Sequence, residues 1–145
     1  MSYITNKKAY FDFEILEKLV GGIELLGLEV KSIKKSQGSL LGSFVGVRGG
    51  EAYLFGADIP PFQMTNTPDT YERTRPRKIL LTKKEIKQLA DYEIKKGVTV
   101  IPISLFPKAN KIKIEIGIAR GKKKYDKRET IKKRDVEREL RREIK

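Results

Sequence analysis

The sequence contains neither cysteine nor histidine. That removes disulfide frameworks, thiol nucleophiles, cysteine- or histidine-ligated zinc and every imidazole-based triad. Catalysis would have to rest on carboxylate, lysine, tyrosine or hydroxyl groups, and no Asp/Glu spacing suggests paired acids or a magnesium site. Neither an enzyme nor a cofactor is expected. Long apolar runs are also missing: the longest, Val98 to Phe106, is strand-sized and contains Pro102, well short of the roughly 18 residues that cross a bilayer. The chain turns charged at Lys7-Lys8, before an apolar stretch of signal-peptide length can form. The expectation is a cytoplasmic protein without a membrane partner.

What the chain has in excess is positive charge. Its 145 residues, enough for one domain, carry 32 Lys and Arg against 19 Asp and Glu, a net charge of +13. Such an excess opposes compaction and persists where a polyanion neutralises it, nucleic acid first and an anionic membrane surface second. The charge divides unevenly: residues 120–145 hold 13 basic and 6 acidic groups, whereas residues 1–119 hold 19 and 13. The last 26 residues offer only Ile131, Val136, Leu140 and Ile144 as aliphatic groups. Four such side chains return about 1.5–3 kcal/mol each, too little to order residues that cost roughly 1–2 kcal/mol apiece. Residues 120–145 therefore read as a basic tail, disordered when free. Glu129/Lys133 and Glu137/Arg141 have the i, i+4 order that favours a helix once a polyanion screens the tail.

Residues 1–119 read as mainly β, a small antiparallel OB-like barrel with one or two flanking helices. Ile112, Ile114, Ile116 and Ile118 alternate with Lys111, Lys113, Glu115 and Gly117, the period of a half-buried strand. Val98 to Phe106 is its hairpin partner through the turn 107–110, with Pro102 at an edge or bulge. A second hairpin joins Ser43–Val47 to Ala52–Phe55 through Gly49-Gly50. Ile23 to Ile33 reads as a long bent strand whose apolar parity shifts beside Gly27. Leu16 to Val20 reads as a short helical piece ending at Gly21-Gly22. Thr82-Lys83-Lys84-Glu85 is a capping box that opens a helix bearing Ile86, Leu89, Ala90 and Ile94, closed by Gly97. Between the second hairpin and that helix, Ala57 to Arg77 forms a long loop, a length associated with function.

Several basic clusters fit RNA. Gly121-Lys122-Lys123-Lys124-Tyr125-Asp126-Lys127-Arg128 follows the isoleucine strand directly, offering lysines to phosphates and a tyrosine ring to a base. Arg73, Arg75, Arg77 and Lys78 gather around Pro76, which could hold guanidinium forks in fixed positions. Lys111 and Lys113 add cations on a strand, and Asn6-Lys7-Lys8 add more at the start. Glu29 is the one carboxylate inside a strongly apolar stretch, read as a solvent-facing partner of Lys31.

These pieces, together with Asn6-Lys7-Lys8-Ala9-Tyr10, Gly27-Leu28-Glu29-Val30-Lys31-Ser32, Gly50-Glu51-Ala52-Tyr53-Leu54, Arg75-Pro76-Arg77-Lys78-Ile79-Leu80-Leu81 and Gly97-Val98-Thr99-Val100-Ile101-Pro102, resemble the small protein B family. These are the SsrA-binding proteins that partner transfer-messenger RNA in bacterial ribosome rescue. The resemblance implies a monomeric RNA-binding adaptor whose barrel grips the tRNA-like domain at its D-loop and elbow. The tail would enter the vacant messenger channel of the small subunit near the decoding centre and fold there as a helix. Elongation factor Tu would take part indirectly, through the charged RNA. The candidate RNA-binding set is then Asn6, Lys7, Lys8, Phe13, Glu29, Lys31, Arg75, Arg77, Lys78, Leu80, Lys113, Gly121, Lys122 and Lys123. The ribosome-facing set is Tyr125, Asp126, Lys127, Arg128, Ile131, Lys132, Lys133 and Arg134. Phe13 stands where the family usually has Tyr, and Val20-Gly21-Gly22 where it has Glu-Ala-Gly. The competing expectation is a general OB-type binder of single-stranded RNA or a ribosome-binding protein.

Overall fold

The structure, a computed structural model, describes residues 2–63 and 67–122. In chain order it contains β1 (Ile4–Thr5), α1 (Ala9–Asp12), β2 (Phe13–Ile23), α2 (Gly27–Lys34), β3 (Phe44–Arg48), β4 (Glu51–Phe55), β5 (Arg77–Leu80), α3 (Lys83–Glu93), β6 (Val98–Lys108) and β7 (Lys111–Gly121). The strands form one seven-stranded sheet in the order β1-β6-β7-β2-β5-β4-β3, antiparallel at every pairing. This is the expected mainly β, barrel-like architecture, with seven strands among the described residues. The edge strand β3 lies against β6 without a hydrogen-bonded ladder, so one seam stays open.

The isoleucine alternation of β7 does what its period requires. Ile114, Ile116 and Ile118 are fully buried and Ile112 is nearly so, in one core with Ile33, Leu54, Ile79, Leu89 and Leu105. β6 and β7 close through Ala109 and Asn110, both at positive φ, 48° and 62°, the left-handed pair of a two-residue hairpin turn. Gly49-Gly50 turns β3 into β4 in the same way. Pro102 sits at a β-bulge, where the register shifts between Pro102 and Ser104.

Two expectations are corrected. The segment Leu16 to Val20 is not helical but the middle of β2, paired with β7 from Phe13↔Gly121 to Gly22↔Lys113. A bulge between Ile15 and Glu17 explains the mimicry. It turns Phe13 and Ile15 to one face of the sheet, against Ala9, Ile101 and Ala119, while Leu19 and Ile23 stay on the main core. The bend expected at Gly27 therefore lies earlier. Ile23 to Ile33 is not one strand: β2 ends at Ile23 and α2 begins at Gly27. The Glu29 carboxylate at the third helical position accepts the Leu26 amide at 2.8 Å, the reciprocal half of a capping box without a polar N-cap side chain.

α3 starts as read. Thr82 Oγ1 accepts the Glu85 amide at 3.2 Å and Glu85 Oε1 accepts the Thr82 amide at 2.9 Å. Leu89 is buried, but Ile94, assigned to the apolar face, lies past the last helical residue and is 86% exposed. Glu93 covers part of the β3 edge by accepting the Val47 amide at 2.9 Å.

Candidate nucleic-acid interface

The long loop is tied down from within by Glu29. Its carboxylate is fully buried. Arg77 donates to Oε2 through Nε at 2.8 Å and Nη2 at 2.6 Å. Arg75 donates through Nε to Oε2 at 3.1 Å and also bonds Oε1 through Nη2. The Tyr71 hydroxyl donates to the Ile59 carbonyl at 2.8 Å, has Glu29 Oε2 as a second acceptor at 3.1 Å, and accepts from Arg77 Nη2 at 3.2 Å. Arg77 also donates to the carbonyls of Ala57 at 2.7 Å and Arg73 at 2.8 Å. Burial pushes the Glu29 pKa up, but hydrogen bonds from Arg75, the Leu26 amide and Arg77 outweigh it and hold the group below its ordinary value.

This cluster corrects the reading of Glu29, Arg75 and Arg77. Glu29 is not a surface partner of Lys31, whose ammonium is exposed 5.9 Å from the Phe62 ring centroid. Glu29 and Arg77 have no exposed surface, and Arg75 keeps only 28% of its side chain exposed. They fasten α2 and β5 to the loop. Pro76 does separate two guanidinium forks, but both point inward at one carboxylate. Arg73 turns away to Asp58, at 2.9 and 3.1 Å.

That fastening brings α2, β5 and β7 around a groove of about 310 Å³. Leu80 and Lys113, named from the sequence, line it together with Lys34 and Lys111. Leu80 is 48% exposed. It lies so close over Gly22 that a Cβ there would stand 3.3 Å from its side chain. Among the described residues no ion pair engages Lys34, Lys111 or Lys113. Their charges are available to an anion, and Leu80 supplies an apolar surface among them. Lys78, by contrast, pairs with Glu51 at 3.5 Å. Lys34 escaped the sequence reading because its place at the end of a helix depends on α2, which was read as a strand.

A second group gathers at the other end of β7. Gly121 pairs with Phe13, and the Lys122 amide donates to the Asp12 carbonyl at 2.9 Å. Lys7 and Lys8 are exposed beside them. Asn6 is buried: its Nδ2 donates to the Pro102 carbonyl at 2.9 Å and its amide to the Ile103 carbonyl at 2.8 Å, which fixes the start of the segment carrying Lys7 and Lys8. Asn6, Lys8 and Phe13 line a wider groove of about 530 Å³. Gly121 follows Lys113 by eight positions on β7, about 26 Å along a strand. Val20 is 45% exposed and faces Glu115, which pairs with Lys18 at 3.7 Å. Lys123 and the ribosome-facing set Tyr125, Asp126, Lys127, Arg128, Ile131, Lys132, Lys133 and Arg134 lie outside the described residues.

Comparison with known proteins points one way. The family described as SmpB protein matches residues 3–145. The SsrA-binding protein of Caldicellulosiruptor bescii is 46% identical over 141 residues, 97% of this chain and 89% of its own. That of Chlorobaculum tepidum is 48% identical over 138 residues, 94% of this chain and 87% of its own. A solved chain described as "tmRNA-SmpB: a journey to the center of the bacterial ribosome" superposes with a TM-score of 0.70 at 35% identity, covering 83% of this chain and 85% of that one. The family match, the identity to these relatives over nearly the whole length and the superposition of the fold agree: the chain belongs to the SmpB protein family.

Proposed function

We propose that this protein is the RNA-binding adaptor of trans-translation. The body holds the tRNA-like domain of transfer-messenger RNA. The tail beyond Lys122 acts on the stalled ribosome, in the empty messenger channel and at the decoding centre. The protein works as a monomer in the cytoplasm, without catalysis of its own, and meets elongation factor Tu through the charged RNA. The observation that carries this reading is the placing of cations near both ends of β7: Lys111 and Lys113 line the groove beside Leu80, and about 26 Å along the strand from Lys113 Gly121 pairs with Phe13, which lines a second groove with Lys8 where the basic tail begins. An extended, fixed pair of contacts suits a folded RNA, whose shape is read across a distance.

Truncation after Lys122 tests it. The body should keep most of its affinity for a tRNA-like RNA, and peptide tagging on stalled ribosomes should be lost. Tagging by the truncated protein would refute the role of the tail. Competition at matched salt should favour the tRNA-like fold over unstructured RNA; equal affinities would favour a general single-strand binder.

A further inference from the structure

The open seam between β3 and β6 contains the 530 Å³ groove, floored by Thr99 and Ile101. Phe13, Leu41 and Phe44 line it as well. Leu41 is 60% exposed and Phe44 44%, so two large apolar side chains lie uncovered at one opening, the mark of an interaction surface. Phe44 is braced by a neighbour: its ring stacks on Phe55 at 5.3 Å and 26°, and Phe55 in turn has the Arg48 guanidinium 5.3 Å from its centroid. A ring fixed in this way loses little freedom when something stacks on it.

The charges at the mouth select among occupants. Lys8 lines the groove, and Lys7, its neighbour in the chain, is exposed. Asp12 is the only carboxylate among the lining residues. Aromatic walls at a cationic mouth match a flat base carrying a phosphate, since every base has a π-face and ammonium groups take the phosphate. An apolar peptide side chain would use the rings and bring no counter-charge to Lys8. The volume lies within the range of about 300–1,000 Å³ typical of small-ligand clefts, which is room for a nucleotide.

We propose that this groove receives one unpaired base of the bound RNA, stacked against Phe13 and Phe44, with Lys8 on its phosphate. Phe44 and Leu41 thereby become determinants of which nucleotide is held, because a base inside a duplex has both faces covered and cannot enter. The inference rests on the RNA-binding reading above and names the chemical unit that this end of the body takes.

The test titrates the full chain with the tRNA-like domain carrying 2-aminopurine at each unpaired loop position in turn. One position should change its fluorescence on binding. Phe44→Leu should abolish that change and weaken binding roughly 5- to 150-fold, the range for losing one stacked base. Leu41→Ser, at a residue too exposed to endanger folding, should weaken binding several-fold, and Lys8→Gln should lower the salt dependence. Wild-type affinity in Phe44→Leu and Leu41→Ser, alongside weakened binding in Lys113→Ala, would overturn the base slot and leave the RNA reading standing. Variants that keep RNA affinity but lose ribosome association would assign the groove to another partner and equally overturn it. Failure of the wild-type chain to bind the RNA would remove the underlying reading itself.

Discussion

Glu29→Gln leaves size and shape nearly unchanged while deleting the charge on which two guanidinium groups converge. Arg77 is as buried as Glu29, so no water replaces the lost carboxylate oxygen. Removing one member of a buried ion pair costs about 3–5 kcal/mol, a large share of the roughly 5–15 kcal/mol that holds a domain together. At about 4 °C per kcal/mol for a body of this size, Tm should fall by about 12–20 °C. Urea titration followed by circular dichroism at neutral pH should give a lower midpoint with an unchanged slope. The difference should depend on pH. Because the folded pKa of Glu29 lies below its ordinary 4.5, its stabilisation is present above the unfolded value and is lost as pH falls through the folded one. The gap between wild type and variant should therefore narrow on acidification below about pH 4.5. A neutral-pH loss below about 1 kcal/mol in Glu29→Gln, the scale of a surface pair, would refute the internal-clamp reading.

Two further outcomes separate surface from interior and probe the turn. Lys34→Ala, Lys111→Ala and Lys113→Ala should each weaken RNA binding and lower the slope of log affinity against log salt by up to about 1, measured by fluorescence anisotropy, whereas a folded Arg77→Met chain should keep the wild-type slope. Replacing Ala109→Asn together with Asn110→Gly should raise Tm by about 3–6 °C in a thermal melt, because both positions sit at positive φ and Asn-Gly suits such a turn by about 1 kcal/mol over alanine.

The parts of the fold legible in the sequence are those written locally. The alternation of Ile112 to Ile118, the Thr82–Glu85 capping box and the Gly49-Gly50 turn each need only neighbouring residues, and each stands where it was read. The exchange of helix and strand between residues 13 and 34 has distant causes. Ile15, Leu16, Leu19 and Val20 have helical spacing only because a bulge inserts Leu16 and because Val20 faces out; pairing with β7, a hundred residues later, decides the matter. α2 lacks a polar N-cap side chain and is capped by Glu29, a carboxylate that tolerates burial because Arg75 and Arg77 arrive 46 and 48 residues downstream. The family resemblance marked these three residues as important without telling which side of the surface they occupy. Leu80 and Lys113 do share one groove, while Lys34, Leu41 and Phe44 had no signal until the helix and the seam were placed.

The pairing of β1 with β6 and of β2 with β7 also has a consequence for how the chain is made. The first two strands have no ladder partner nearby in sequence, and loops of that span must close before the sheet gains from the contacts, which slows folding. During synthesis at about 5–20 residues per second, the 108 residues from Phe13 to Gly121 take roughly 5–20 s to appear. Throughout that interval Phe13, Ile15 and Leu19 wait without the strand that covers them. The body of this protein closes only when its last strand emerges.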